Sequence, residues 1–174
     1  MDQADLAKML ADGETALLAG EWDAAFDKAG AVIAVDVNQP DAYFIQGVAR
    51  MAKGQLDEAT PLLQRTIELQ PEHLHALFNL GLVQARQQEY RAARGSFMRV
   101  LELDPQRAEA RLQLALAMEQ SDDLMGAMQA YQDLMSLPAS EGGKDYVTLA
   151  VEGVGRVSGK IAGMSSGDSE TDGG

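Results

Sequence analysis

Apolar residues recur along this chain at intervals of three and four positions, in eight consecutive segments separated by short connections. This spacing places the apolar side chains of each segment on one face of an α-helix. The pattern therefore predicts an all-α protein. Its first eight helices are expected at residues 4–19, 22–36, 40–53, 56–70, 74–87, 90–104, 108–121 and 124–137.

The same pattern repeats every 34 residues. Shifting the sequence by that distance aligns eight small residues in two columns, Gly13, Gly47, Gly81 and Ala115, and Ala25, Ala59, Ala93 and Ala127. A small residue that faces a neighbouring helix lets the two axes approach closely enough for the larger side chains around it to interlock. The repeat therefore predicts four helix pairs.

Larger residues and helix-ending residues keep the same step. Three columns of large side chains are Trp22, Leu56, Tyr90 and Leu124, then Ile33, Ile67, Leu101 and Met135, and then Val35, Leu69, Leu103 and Leu137. Gly20 and Gly54 fall between the two helices of a pair, where a left-handed residue closes a helix without a Cβ penalty. Pro71 and Pro105 follow the second helix of a pair, because proline cannot extend a preceding helix.

These residues resemble the tetratricopeptide repeat, a 34-residue helix pair with a small residue at position 8, alanine at position 20 and proline at position 32. The resemblance covers a repeat domain at 1–139, with pairs at about 6–39, 40–73, 74–107 and 108–139. Val37 stands in the proline position of the first repeat, and Pro138 comes one residue early in the fourth. The family implies a right-handed superhelix, an α-solenoid, in which the first helix of each pair lines the concave side.

A ninth helix is predicted after the repeats, within residues 140–163. Its apolar residues again follow helical spacing, namely Tyr146, Ala150, Val154, Val157 and Ile161. Such a helix would cap the apolar end of the last repeat, since solenoid ends need a cover. Contact of its glycines at 155, 159 and 163 with a partner or a second copy is an alternative, as is disorder. Residues 164–174 are predicted to be a disordered acidic tail.

The family geometry implies a groove lined by the first helices. Its fifth position reads Leu10, Phe44, Phe78 and Leu112; its ninth reads Glu14, Val48, Leu82 and Leu116; its twelfth reads Leu17, Met51, Ala85 and Glu119. The result is an apolar trough, with Asn79 and Gln113 beside the floor and Arg86 on one edge. Such a surface suits an extended or helical peptide whose apolar side chains enter the groove.

The function predicted is therefore that of a protein-interaction scaffold, an adaptor or chaperone that binds an apolar peptide of a partner protein. The expected groove residues are Leu10, Phe44, Val48, Met51, Phe78, Asn79, Leu82, Arg86, Leu112, Gln113 and Leu116. Phe44 and Phe78 are expected to be the anchors. The lysines and arginines with which some tetratricopeptide domains hold a C-terminal carboxylate are missing at the matching positions, so a carboxylate clamp is not expected.

Three alternatives remain open. Short, acidic tetratricopeptide chaperones of type III secretion are similar in size, charge and groove. A structural subunit that self-associates through the solenoid ends or the C-terminal helix is the second alternative. In the third, the C-terminal helix folds over the groove until a partner competes.

Composition excludes several kinds of chemistry. The 174 residues include no cysteine, which removes disulfides and thiolate sites, and the net charge of −13 opposes binding to nucleic acid or anionic membranes. With no signal peptide or membrane span in the sequence, a cytoplasmic location is expected. No cofactor, metal site or enzymatic activity is predicted. The two histidines, His73 and His75, are expected to be solvated.

Overall fold

The computed structural model of the protein describes residues 3–137 and 145–167 and forms nine helices there, with no strand. The first eight helices lie within two residues of the predicted bounds. The predicted positions of Pro138, of 139–144 and of the tail after 167 lie outside the described residues. The helices are α1 (Gln3–Leu18), α2 (Trp22–Val35), α3 (Pro40–Ala52), α4 (Leu56–Leu69), α5 (Leu74–Arg86), α6 (Tyr90–Leu103), α7 (Ala108–Gln120), α8 (Leu124–Met135) and α9 (Tyr146–Gly167).

The chain divides into two compact units. Unit 1, Met1–Glu89, contains α1 to α5, and unit 2, Tyr90–Gly174, contains α6 to α9. Within each unit every helix packs against the next one along the chain. This consecutive packing is the arrangement that the 34-residue period predicts, and it confirms the helix-pair fold.

The centre of each second helix is buried at three positions with spacings of four and three residues, so that they share one face. All twelve residues at these positions are 1% exposed or less. The columns are Ala25, Ala59, Ala93 and Ala127; Ala29, Leu63, Phe97 and Tyr131; and Val32, Thr66, Val100 and Leu134. Only the first column was apparent from the sequence.

Some of the large residues that repeat in sequence lie at the edge of the core instead. Val35, Leu103 and Met135 are 49%, 41% and 41% exposed. Each is the last residue of its helix, where the chain turns away into a connection. Val35 and Leu103 belong to one column, whose periodicity therefore records the end of each pair and not its centre. Met135 stands two positions earlier in the repeat and ends its helix because α8 is two residues shorter than α2 and α6.

Glycines mark the close contacts and the turns. A Cβ at Gly47 would lie 2.9 Å from Leu63 Cδ2, so the side chain from α4 occupies the space that glycine leaves on α3. Gly20 and Gly54 have φ of 76° and 75°, as the sequence predicts. Gln88 and Asp122 adopt the same left-handed conformation at the equivalent places, with φ of 63° and 60°. The turn thus forms even where glycine is absent.

Helix α9 takes the position of the first helix of a further pair. It contacts α8 and α7, just as α3 contacts α2 and α1 in unit 1. Ala150 and Val157 are fully buried, and Gly153 lies directly against the Tyr131 ring. The predicted cap is therefore present, and it continues to Gly167, beyond the predicted end at 163.

A buried carboxylate attaches α9 to the two helices beneath it. Glu119 is 3% exposed, and its oxygens accept hydrogen bonds from the Tyr131 hydroxyl at 2.9 Å and from Arg156 Nη2 at 3.2 Å. Lys160 Nζ lies 3.1 Å away. We call these four residues the Glu119 cluster. Sequence position had placed Glu119 on the groove side of α7, but α9 covers it.

The Glu119 cluster keeps the Glu119 carboxyl group ionised although it is buried. Burial by itself would raise the pKa of Glu119, but hydrogen bonds from Arg156, Tyr131 and Lys160 outweigh it and place the pKa below its ordinary value of 4.5. Burial, with the nearby Glu119 carboxylate, raises the pKa of Tyr131 to about 12. At neutral pH an anionic Glu119 therefore accepts a hydrogen bond from the hydroxyl group of a neutral Tyr131.

Gly153→Ala is expected to weaken the docking of α9 by about 1–3 kcal/mol, because the new methyl group would overlap the Tyr131 ring. Gly155→Ala is the matched control, since a Cβ there meets nothing within 4 Å. That control should stabilise α9 by about 0.5–1 kcal/mol through helix propensity. Amide hydrogen exchange of α9 measures both changes. Equal protection in the two variants would contradict the contact with Tyr131.

Glu119→Gln is expected to destabilise docked α9 by about 1–3 kcal/mol, because Arg156 and Lys160 lose their counter-charge. Since the folded state lowers the pKa of Glu119, this stabilisation is complete above the ordinary value of 4.5 and is lost as the pH falls through the lowered one. Urea denaturation monitored by α9 amide exchange should show the two proteins converging in acid. Glu152→Gln, on the exposed side of the same helix, should behave as wild type.

Candidate functional site

The first helices of unit 1 lie on its inner side. Helix α1 contacts α3 and α3 contacts α5, whereas the described residues of α2 and α4 make no such contacts with each other. The helix pairs are therefore closer together on the side of α1, α3 and α5. This is the side on which the sequence places the groove residues.

Most of the predicted groove residues of unit 1 are half-buried on this side. They are Leu10, Phe44, Val48, Met51, Asn79 and Leu82, while Arg86 is exposed at the end of α5. We call the apolar members Leu10, Phe44, Val48, Met51 and Leu82 the unit 1 inner surface. Half-burial leaves part of each side chain for contact with another molecule while the rest packs within the unit.

Phe78 differs from the other residues of its column. Its exposure is 7%, so it contributes to the interior and offers little area to a ligand. Phe44, in contrast, keeps part of its ring accessible. The inner surface of unit 1 therefore presents one aromatic anchor where the sequence suggested two.

Some residues of the unit 1 inner surface pack against buried clusters of the core, and others do not belong to those clusters. Phe44 and Met51 pack against a buried cluster that includes Leu63, Leu80 and Val83. Leu10 packs against the corresponding cluster formed by α1, α2 and α3. Val48 and Leu82 are partly exposed and belong to neither of these two clusters. They are therefore suitable places for testing binding.

Polar groups stand beside this surface in defined orientations. The Asn79 side-chain amide donates to the His75 carbonyl oxygen at 2.8 Å, which holds the side chain along α5. Asp41 is exposed on α3. Arg86 is the last residue of α5, whereas Asp41 is near the start of α3. The apolar residues therefore have an acidic group towards one end of the helices and a basic group towards the other.

His73 is not solvated as the sequence suggested. It is the N-cap of α5, where its Nδ1 accepts a hydrogen bond from the Ala76 amide at 3.0 Å, and its side chain is 10% exposed. Its Nε2 lies 3.3 Å from Asp41 Oδ1, and its ring centroid lies 4.8 Å from that of Phe44. The 34-residue step offered one signal for this role, because His73 directly precedes a first helix.

In unit 2 the predicted residues Leu112, Gln113 and Leu116 are half-buried on α7. Helix α9 contacts α7, while α6 and α8 have no contact with each other in the described part of the unit. Helices α7 and α9 thus occupy the same side of unit 2, and the C-terminal helix covers Glu119 at the end of α7.

No helix in the described ranges combines the length and apolar character needed to cross a membrane. Solved structures with the same architecture include MamA from Desulfovibrio magneticus RS-1, with 19% identity, a TM-score of 0.73, and coverage of 97% of this chain and 98% of that one. MamA of strain MSR-1 has 20% identity and a TM-score of 0.75, over 91% and 87% of the two chains. A mutant O-GlcNAc transferase of Thermobaculum terrenum has 22% identity and a TM-score of 0.70, over 77% of this chain and 26% of that one.

At these identities the structural likeness establishes the fold alone. No curated protein sequence matches the chain. The family model described as tetratricopeptide repeat matches three overlapping stretches, residues 10–71, 46–99 and 84–141, which together span most of the chain. With the 34-residue period and the helix-pair packing, this match shows that the chain belongs to the tetratricopeptide repeat family.

Proposed function

We propose that this protein is an interaction scaffold that binds an apolar segment of a partner protein on the unit 1 inner surface. The observation that carries the proposal is the row of half-exposed apolar side chains at Phe44, Val48, Met51 and Leu82. Removing such side chains from water on binding is favourable by about 25 cal/mol per Å² of apolar area. Their place on the inner side of the helix pairs favours a ligand that is inserted lengthwise.

The size of the surface suits a short segment better than a folded domain. A standard protein interface uses about 20–30 residues on each side, and five apolar side chains form only a fraction of that. A peptide with apolar residues one helical turn apart would match the two successive turns that Phe44 and Val48 occupy on α3. Phe44 is the aromatic anchor in this arrangement.

The charge of unit 1 favours a neutral or basic ligand. Unit 1 contains 14 acidic and six basic residues, a net charge of −8. An acidic peptide would be repelled at long range, whereas a basic one would be attracted. Asn79 and Arg86, at the edge of the apolar row, would fix the direction in which the peptide lies. The role proposed is binding and not catalysis.

The double variant Val48→Asp, Leu82→Asp is expected to weaken peptide binding at least tenfold, which corresponds to about 1.4 kcal/mol. Each aspartate places a charge against an apolar ligand, and both residues are partly exposed and lie outside the two buried clusters described above. The measurement is fluorescence anisotropy with peptides enriched from a random 12-residue display library on the wild-type protein.

Val35→Asp is the matched control, because Val35 is an exposed valine of unit 1 on a second helix. It should bind the same peptides with unchanged affinity. All proteins should share one helical circular dichroism spectrum. Equal binding by the wild type and the double variant would show that the peptides bind elsewhere, and would refute the proposed surface.

Self-association through α9 is a second candidate function. The observation in its favour is the exposure of Val147 and Val151, 46% and 52%, on a helix that occupies the place of a first helix without a following second helix in the described residues. A second copy of the chain would cover these valines. This candidate does not exclude peptide binding by unit 1.

Val147→Asp, Val151→Asp is expected to convert a dimer formed through α9 into a monomer, because both side chains are exposed on that helix and each aspartate would place a charge in the interface. Sedimentation velocity at several concentrations gives the mass. Exposed Met125→Asp, on α8, introduces one comparable charge at a separate site and should leave the mass unchanged. A wild-type protein that is monomeric at all concentrations would eliminate this candidate.

A further inference from the structure

The hydrogen-bond geometry of His73 favours one neutral tautomer. The Ala76 amide is a donor, so Nδ1, 3.0 Å away, must carry a lone pair and accept. The proton of the neutral ring is then on Nε2, from which it points to Asp41 Oδ1 at 3.3 Å. One neutral tautomer satisfies both neighbours. The doubly protonated ring has no acceptor and cannot cap α5.

The repeat does not require a side-chain cap at this position. Gln39 and Arg107 occupy the corresponding positions before α3 and α7, and neither side chain makes a cap bond to its helix. An asparagine at position 73 would supply a cap acceptor without titrating near neutral pH. The chain thus has a titratable cap at a place where α3 and α7 have no side-chain cap.

The ring also supports the unit 1 inner surface. It lies 4.8 Å from the Phe44 ring, centroid to centroid, and the exposed His75 ring lies 6.4 Å from Phe44 on the same side. His73 therefore contacts both the start of α5 and the aromatic residue of the proposed binding surface. A change in its orientation affects both.

Protonation would bring opposing electrostatic effects to this position. Asp41 on α3 favours a positive ring, whereas His75 on α5, 6.5 Å away, opposes it once charged. Glu72 precedes it in the connection from α4 and adds negative charge. The N-terminal end of α5 itself disfavours a cation. Whatever the balance of these charges, a proton on Nδ1 removes the side-chain acceptor of the Ala76 amide, which keeps the His73 carbonyl oxygen, 3.0 Å away, as its other acceptor.

We propose that His73 is a proton-sensitive switch: neutral, it caps α5 and supports Phe44; protonated, it releases the cap and weakens the binding of apolar ligands on the unit 1 inner surface. The effect on ligands rests on the function proposed above. The effect on α5 does not, because it follows from the hydrogen bonds of His73 within the unit.

The change at α5 is tested by nuclear magnetic resonance of the full chain as the pH is lowered from about 7.5 to 5.0. The ¹⁵N shifts of His73 should show the Nε2–H tautomer at the higher pH. The Ala76 amide and the Phe44 ring protons should then shift in step with His73 as acid is added. An Nδ1–H tautomer, or an Ala76 amide that does not follow His73, would overturn the switch.

The change in binding is tested with the neutral dye Nile red, whose fluorescence is measured on the wild type and on the double variant Val48→Asp, Leu82→Asp. The part of the signal that the double variant loses is assigned to the unit 1 inner surface. The affinity should be weaker at the lower pH, by at most about fivefold, because the strength of an ordinary cap limits the loss. His73→Asn should bind the dye with equal affinity at both pH values, whereas His75→Asn should retain the pH dependence of the wild type. If His73→Asn also retains this pH dependence, the proposed switch is refuted, while the proposal that ligands bind on the unit 1 inner surface is unaffected.

Absence of any dye signal at the inner surface would count against the proposed function alone. The tautomer of His73 and the response of Ala76 would still decide whether the cap is released by acid. The two proposals therefore fail through different measurements.

Discussion

The contact between helices at the repeated alanine column sets the spacing on which the remaining packing depends. Ala25, Ala59, Ala93 and Ala127 are all fully buried, so each second helix contributes only a methyl group to the core at this level. A short distance at one point brings the residues one turn away into contact as well. Side chains at those positions are consequently buried whatever their size.

This spacing explains why one core column tolerates residues from alanine to tyrosine. Where the second helix contributes Leu63, the facing first helix has Gly47, and where it contributes Tyr131, α9 has Gly153. Volume added on one side is removed on the other, as close packing requires. Tyr131 also brings a hydroxyl group into the interior. Glu119 accepts its hydrogen bond, and the buried carboxylate in turn needs the cations of α9.

The same close approach produces the candidate binding surface. Since α1, α3 and α5 are near one another on the inner side of unit 1, side chains such as Phe44 and Met51 are half-covered by neighbouring helices. They are held in defined orientations without being removed from the surface. His73 belongs to this arrangement because it joins the start of α5 to Asp41 and Phe44 on α3.

The period, the helix bounds and the pairing followed from the residues alone, because spacing of three and four and a repeated small residue are local properties of a chain. The column of Ala29, Leu63, Phe97 and Tyr131 did not follow from the sequence, because its members share burial but not size or chemistry. The burial of Phe78, the cover over Glu119 and the capping role of His73 were decided only in the folded protein. Each depends on which side chains of other helices lie opposite, and spacing along one helix does not contain that information.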